Sequence, residues 1–402
     1  MSDNGTTSHL TRILTGYLCL MLGGTISLKR AARISVSAFF FITGFCFASW
    51  ASRIPDIQHR LHLDAAQLGS ALFALPIGSM LSLPVAGYVV TKLGSRAVMF
   101  TGAFLYAALL CLLGTVTVKW QLMTVLFFFG MSGNLMNISI NTQAIGVETL
   151  YRRSIMASFH GLWSVAGFTG AAIGTLMVSQ DLSPLFHFII VACSVTVLAL
   201  LMFPHSLRNE ERNGGARSGF VLPDKFLLKL GVIAFCCMSC EGCMFDWSGI
   251  YFRDVVLAPM QLVPLGYTAF MAMMATGRFV GDRLVTRIGA ERVMIASGCL
   301  IVCGLLTAVL FPNIYSATLG FLLTGFGVSS IVPLAYGLAG RSKTMSAGMA
   351  IAAVSTVGYL GFLFGPPVIG YIAKAASLRW SFALIALLAS FMIFLAGKIK
   401  VK

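Results

Sequence analysis

Charge is what this sequence lacks. Asp, Glu, Lys and Arg make up 10% of its 402 residues, against about 25% in a soluble globular chain. So few charges cannot cover a soluble surface, and 58% of the residues are hydrophobic, with a mean hydropathy of +0.89. The apolar stretches also lack the strict apolar–polar alternation of a membrane β-barrel. No G-x-S-x-G, Walker loop, H-E-x-x-H or soluble C-x-x-C pair occurs, so no enzyme class and no ATP-driven pump is expected, and no cofactor. The ten cysteines fall mostly inside apolar stretches, as at Cys46, Cys111, Cys193, Cys299 and Cys303, where they read as small apolar side chains rather than as a disulfide scaffold.

What is present is a series of long uncharged blocks, among them 65–91, 97–118, 120–147, 154–180, 182–207 and 293–340. A membrane-spanning helix needs roughly 20 mainly apolar residues, and each block reaches that length. The last is long enough for two helices, with Pro312-Asn313 at the turn. The spacing predicts twelve transmembrane helices, over 34–52, 68–90, 97–118, 121–144, 155–178, 184–204, 229–252, 265–285, 293–311, 316–338, 345–373 and 380–397. The formal charge of +15 fits cytoplasmic loops facing anionic lipid better than nucleic-acid binding, which is not expected. Counted over alternate loops, 21 of the 28 Lys and Arg fall on one side and six on the other, with Arg278 inside a helix. That bias puts both termini in the cytoplasm, in a multi-pass inner-membrane protein. Residues 1–33 read as an N-terminal cytoplasmic or interfacial segment, 34–204 as a first six-helix bundle, 205–228 as a polar cytoplasmic linker and 229–402 as a second bundle.

The two halves repeat at a shift of about 195 to 197 residues. Trp50 matches Trp247, Leu68-Gly69 matches Leu265-Gly266, Phe73 matches Phe270, Thr91-Lys92-Leu93-Gly94 matches Thr286-Arg287-Ile288-Gly289, and Gly170 matches Gly365. Six helices per half give both halves the same orientation, which places a binding site between them near mid-depth. At these residues the chain resembles the major facilitator superfamily. The family's loop after the second helix appears as Gly87 through Arg96, with Thr91 in place of the family acid. The second copy runs from Gly277 to Gly289 and keeps an acid at Asp282. Trp50-Ala51-Ser52-Arg53-Ile54-Pro55, Asn137 through Asn141, His160-Gly161 and Gly358 through Pro367 resemble an uncharacterised bacterial branch near the fucose-permease-type sugar porters. Asn137 stands where that pattern has its proton-coupling acid, so that role does not carry over. The Gly-Pro motif of drug antiporters is missing from the fifth helix. The resemblance implies two pseudo-symmetric six-helix bundles and solute transport by alternating access.

An acid at the bilayer centre is costly and therefore a functional candidate. Glu241 lies halfway along the seventh segment, where gain and loss of a proton would couple proton flow to solute movement; a structural hydrogen bond is the alternative. Asp246 sits about 140° further round the same helix; it is expected to cap or to pair with Arg53 or Arg253, with solute binding or coupling as the alternative. Asn134, Asn137 and Asn141 line one face of the fourth segment, suited to a hydroxylated solute or to helix–helix contact. His160 is a candidate proton relay or solute ligand, and Trp50 and Trp247 are candidates to stack on a sugar ring or to anchor at the interface. Cys236, Cys240 and Cys243 share a face, but no metal site is expected. Gly87, Lys92, Gly94, Arg96, Arg278, Gly281, Asp282, Arg287 and Gly289 form a candidate cytoplasmic lock, in which Arg278 pairs with Asp282 at i, i+4. Taken together, the residues lead to a monomeric secondary transporter of a small polar, sugar-like solute, coupled to protons as a symporter. A multidrug–proton antiporter or a non-transporting sensor are the alternatives.

Overall fold

The computed structural model describes residues 28–151, 155–208, 224–342 and 347–399. Fourteen α-helices make up most of this, with two short 3-10 turns and no strand among the described residues. The first half holds α1 (Leu28–Ala51), α2 (Ile54–Arg60), α3 (Ala65–Leu72), α4 (Ala74–Leu93), α5 (Ser95–Thr115), α6 (Lys119–Tyr151), α7 (Met156–Ser179) and α8 (Pro184–Met202). The second holds α9 (Lys225–Asp254), α10 (Leu265–Ile288), α11 (Ala290–Leu310), α12 (Ile314–Ala339), α13 (Ala347–Ala375) and α14 (Leu378–Ala396). Inside a bilayer every backbone polar group must be satisfied within the segment, and an apolar helix does this at any point along the chain.

Eleven segments among the described residues are long and apolar enough to cross a membrane. The twelfth, α10, has the length but carries four charges at 278–287. It lies antiparallel against α7, joined by Thr175 to Thr268 near one end (2.9 Å) and by Ser164 to Arg278 further along (2.6 Å). The second span, expected to be unbroken, is interrupted at Phe73 between α3 and α4. Pro76 explains the break: it has no N–H to offer the Leu72 carbonyl one turn back. The first, fourth and seventh spans run longer than expected, as α1, α6 and α9. Residues 28–33 therefore belong to α1, and the second half begins at Lys225. Most of the expected N-terminal segment (1–27) and of the linker (209–223) lies outside the described residues.

The internal repeat has a physical counterpart. Helices α5 and α11 are both 21 residues long and start 195 positions apart. The residue before each is a glycine in the left-handed region, Gly94 at φ +82° and Gly289 at φ +86°, which turns the chain sharply without strain. Gly130 of α6 lies against the Leu75 carbonyl of α4, and Gly325 of α12 against the Phe270 carbonyl of α10, again at a shift of 195. Small residues at such crossings let helices approach where lipid supplies no hydrophobic drive. For orientation, the end where α8 leads into α9 is called the linker end, and the opposite end the far end.

Candidate functional site

A cavity of about 360 Å³ lies between the two halves. The first half contributes side chains from α1, α3, α4, α5, α6 and α7, and the second from α9, α10 and α13. Its rings include Phe40, Phe47, Tyr106, Trp163, Phe245 and Phe362, and Phe47 meets Phe245 edge-on across the halves (5.4 Å). Its polar groups are Thr43, Ser79, Asn134, Asn137, His160, Glu241, Asp246, Tyr359 and Arg278.

Arg278 organises one wall. Its Nη2 lies 4.0 Å from Oε1 of Glu241, and its Nη1 donates to the Ser164 hydroxyl of the opposite half at 2.6 Å. The guanidinium also sits over the Trp163 ring, 5.5 Å from the centroid. The expected pairing with Asp282 cannot be followed, because that side chain lies outside the described residues, but Arg278 itself turns into the cavity. Glu241 is 7% exposed. Asp246 lines the cavity as well, and the pairing expected for it does not form. Arg53 pairs with Asp56 (2.7 Å) and Arg253 with Asp254 (2.6 Å), each a neighbour on its own stretch of chain.

The asparagine face divides. Asn134 lines the cavity and donates to the Ser79 carbonyl (2.9 Å) and the Ser82 hydroxyl (2.7 Å), so it also ties α6 to α4. Asn137 is exposed to the cavity, while Asn141 donates to its carbonyl (2.8 Å) and side-chain oxygen (3.0 Å) and does not line the cavity. His160 lines it, edge-on to Phe40 at 5.2 Å. Trp50 and Trp247 are not cavity residues. They are 1% and 0% exposed, packed among helices rather than placed at a membrane surface or against a solute. Cys236, Cys240 and Cys243 are buried in the core, and no group of three His, Cys, Asp or Glu among the described residues is arranged to hold a metal.

A profile of the Major Facilitator Superfamily matches residues 34–261 and again 258–400. The chain belongs to the major facilitator superfamily. It is 33% identical to an uncharacterised MFS-type transporter of Yersinia pestis, over 89% of this chain and 92% of that protein. It is 32% identical to the membrane protein MosC of Rhizobium meliloti, over 87% of this chain and 86% of that one. The nucleoside transporter NupG shares the fold, with a TM-score of 0.76 at 14% identity, over 92% of this chain and 99% of that one. So does a bacterial homologue of the human lysosomal transporter Spinster, solved inward-facing and occupied, with a TM-score of 0.71 at 13% identity over 93% and 98%. The protein is thus a membrane transporter of this superfamily.

This superfamily member is shut at its far end. Lys374 of α13 pairs with Asp64 before α3 at 3.0 Å, and Arg253 of α9 donates to the Pro55 carbonyl (2.9 Å) and to Oε1 of Gln58 (2.7 Å) on α2. Gly69 of α3 abuts the Pro366 carbonyl of α13. Arg53 braces α2 from below, donating to Nδ1 of His187 (3.2 Å), to Asp56 and to the Leu182 carbonyl (2.8 Å). Composition offered no sign of the clamps made by Lys374, Arg253 and Gly69, because each joins residues from opposite halves of the sequence.

At the linker end the expected lock is largely unengaged between the halves. Arg96 serves its own half, donating to Ser206 (2.9 Å) and the Phe203 carbonyl (3.1 Å) and stacking on Phe203. Among the described residues Lys92 reaches Tyr88 alone, its hydroxyl (3.4 Å) and its ring face, and Arg287 is exposed. Gly281 packs against Ser330 within the second half, and the side-chain position of Gly87 lies outside the described residues. Among the described residues, Arg278 to Ser164 is the polar bond that crosses the halves on this side of the cavity.

Proposed function

We propose that this protein is a proton-coupled secondary transporter of a small polar organic solute, working by alternating access, with a sugar-like solute favoured. Glu241 is the coupling acid. The observation that carries this is the chain Glu241–Arg278–Ser164, which runs from a buried carboxyl to the opposite half. When Glu241 is ionised it holds Arg278 on its own side. When it is protonated that attraction is gone, and the hold of Arg278 on Ser164 is reset. A proton is thereby tied to the contact between halves, which is what coupling requires. Asn134, Asn137 and His160 supply hydrogen bonds to the solute and the aromatic walls bind its apolar faces. The linker end faces the cytoplasm of a bacterial inner membrane, as the positive charge at that end favours, and one chain suffices because its two halves complete the cavity.

A thermal-shift screen of purified protein against sugars, amino acids, organic acids and organic cations identifies the solute, since a ligand stabilises by mass action. Proteoliposomes loaded with that solute then test coupling. Wild type should accumulate label in response to an imposed pH gradient, and Glu241→Gln should bind solute without that response. Undiminished pH-driven accumulation by Glu241→Gln rejects the coupling role.

A further inference from the structure

The charges in the cavity do not balance. Arg278 and Glu241 face each other at 4.0 Å and offset one another. Asp246 takes part in no ion pair or hydrogen bond among the described residues, and it is half-buried against the cavity. It lies five residues beyond Glu241 on α9, about 7.5 Å along the axis and about 140° round it, so it faces a separate part of the cavity.

Aromatic rings lie beside this position. Phe245, the preceding residue on α9, stands edge-on to Phe47 (5.4 Å) and Phe270 (5.7 Å). A lone carboxylate in such surroundings is expensive unless a cation joins it. Ring faces attract cations and add to the same preference. An anion would meet repulsion, and a neutral hydroxyl would leave the charge unbalanced.

We propose that Asp246 forms a subsite for a protonated amine, so that the solute is an organic cation or a polar molecule bearing an amine. The ammonium donates to the Asp246 carboxylate, and its carbon skeleton rests on Phe245. This deepens the transport reading above and rests on it only in taking the same cavity as the solute site.

The test uses full-length protein in lipid nanodiscs and calorimetric titration with matched probes: glucosamine against glucose, and benzylamine against benzyl alcohol. Wild type should bind at least one amine ten-fold or more tighter than its neutral partner. Asp246→Asn should remove that preference while leaving the unliganded melting temperature close to wild type. Asp181→Asn, which removes a carboxyl outside the cavity, should leave it unchanged. Equal binding of both members of each pair, no binding of either amine, or a preference that survives Asp246→Asn overturns the proposal. Amine binding without uptake into proteoliposomes would leave this subsite standing and remove the transport reading. pH-driven uptake of a neutral solute with no amine preference would do the reverse.

Discussion

Arg278 serves three partners at once: a carboxylate, a hydroxyl on the opposite half and an indole face. Only a planar guanidinium can meet such a set, since an ammonium is a compact charge without the fork. Arg278→Lys should therefore keep the charge but lose the link between halves. Hydrogen bonds to charged groups contribute about 1.5–3 kcal/mol. We expect a clear fall in thermal stability and at least ten-fold slower uptake; wild-type transport by this variant would show that the Ser164 contact is incidental. Gly94 offers a simpler test. Nothing lies within 4 Å of the position a Cβ would take, so Gly94→Ala isolates the backbone term. At φ +82° and ψ +146°, close to the region that only glycine readily adopts, that term should be about 1–3 kcal/mol, read from the melting temperature, and Gly289→Ala should match it. At this scale the sequence was informative about residue type. A mid-span acid, the inward Asn134 and Asn137 and the turn glycines all follow from residue chemistry and helical spacing, whereas Asn141 on the same face does not reach the cavity. Trp50 and Trp247 were misleading, because a tryptophan near a helix end looks the same in sequence whether it meets lipid, solute or another helix.

Among the elements, the α2–α3 corner combines a cap with a clamp. Asp64 caps α3 by accepting from the Gln67 backbone, Gln67 returns the bond, and the same carboxylate pairs with Lys374 across the halves. The Gln67 backbone N–H, and after it the Lys374 ammonium, hold the Asp64 carboxyl below its ordinary range. Its contribution is therefore complete above the unfolded value, about 4, and is lost as pH falls through the lower folded value. The clamp should be constant from pH 5 to 8 and open only in strong acid. Asp64→Asn should remove the ion pair and keep most of the cap, whereas Asp64→Ala should lose about 1 kcal/mol more. Spin-label distances between Leu61→Cys and Ala376→Cys on a cysteine-free background, taken across pH, read the clamp, and melting temperatures read the cap. A far-end spacing that changes between pH 5 and 8 would assign the closure to another group. The break between α3 and α4 was foreshadowed by Pro76, but the place where the helix gives way depends on which carbonyl loses its partner.

For the whole molecule, the proposed alternating-access cycle makes far-end closure a balance between a few polar clamps and whatever holds the linker end in the alternative state. The Lys374–Asp64 pair is largely solvent-exposed and such pairs are worth about 0–1 kcal/mol. The two hydrogen bonds of Arg253 to α2 are partly buried and charge-assisted, at about 1.5–3 kcal/mol each by the usual range. Arg253→Gln should therefore shift the population toward a far-open state by ten-fold or more, and Lys374→Gln by no more than a few-fold, both read by the same spin-label distances. A larger effect from Lys374→Gln would reverse the ranking. The sequence by itself determined the helical membrane fold, the span count and the duplication, because bilayer thickness and backbone hydrogen bonding leave a long apolar segment almost no choice. Only the tertiary structure decided which polar groups face one another, which end is shut, and that Asp246 stands without a cationic partner among the described residues. Those contacts join residues from 37 to 310 positions apart, and neither local propensity nor spacing along one helix carries that information.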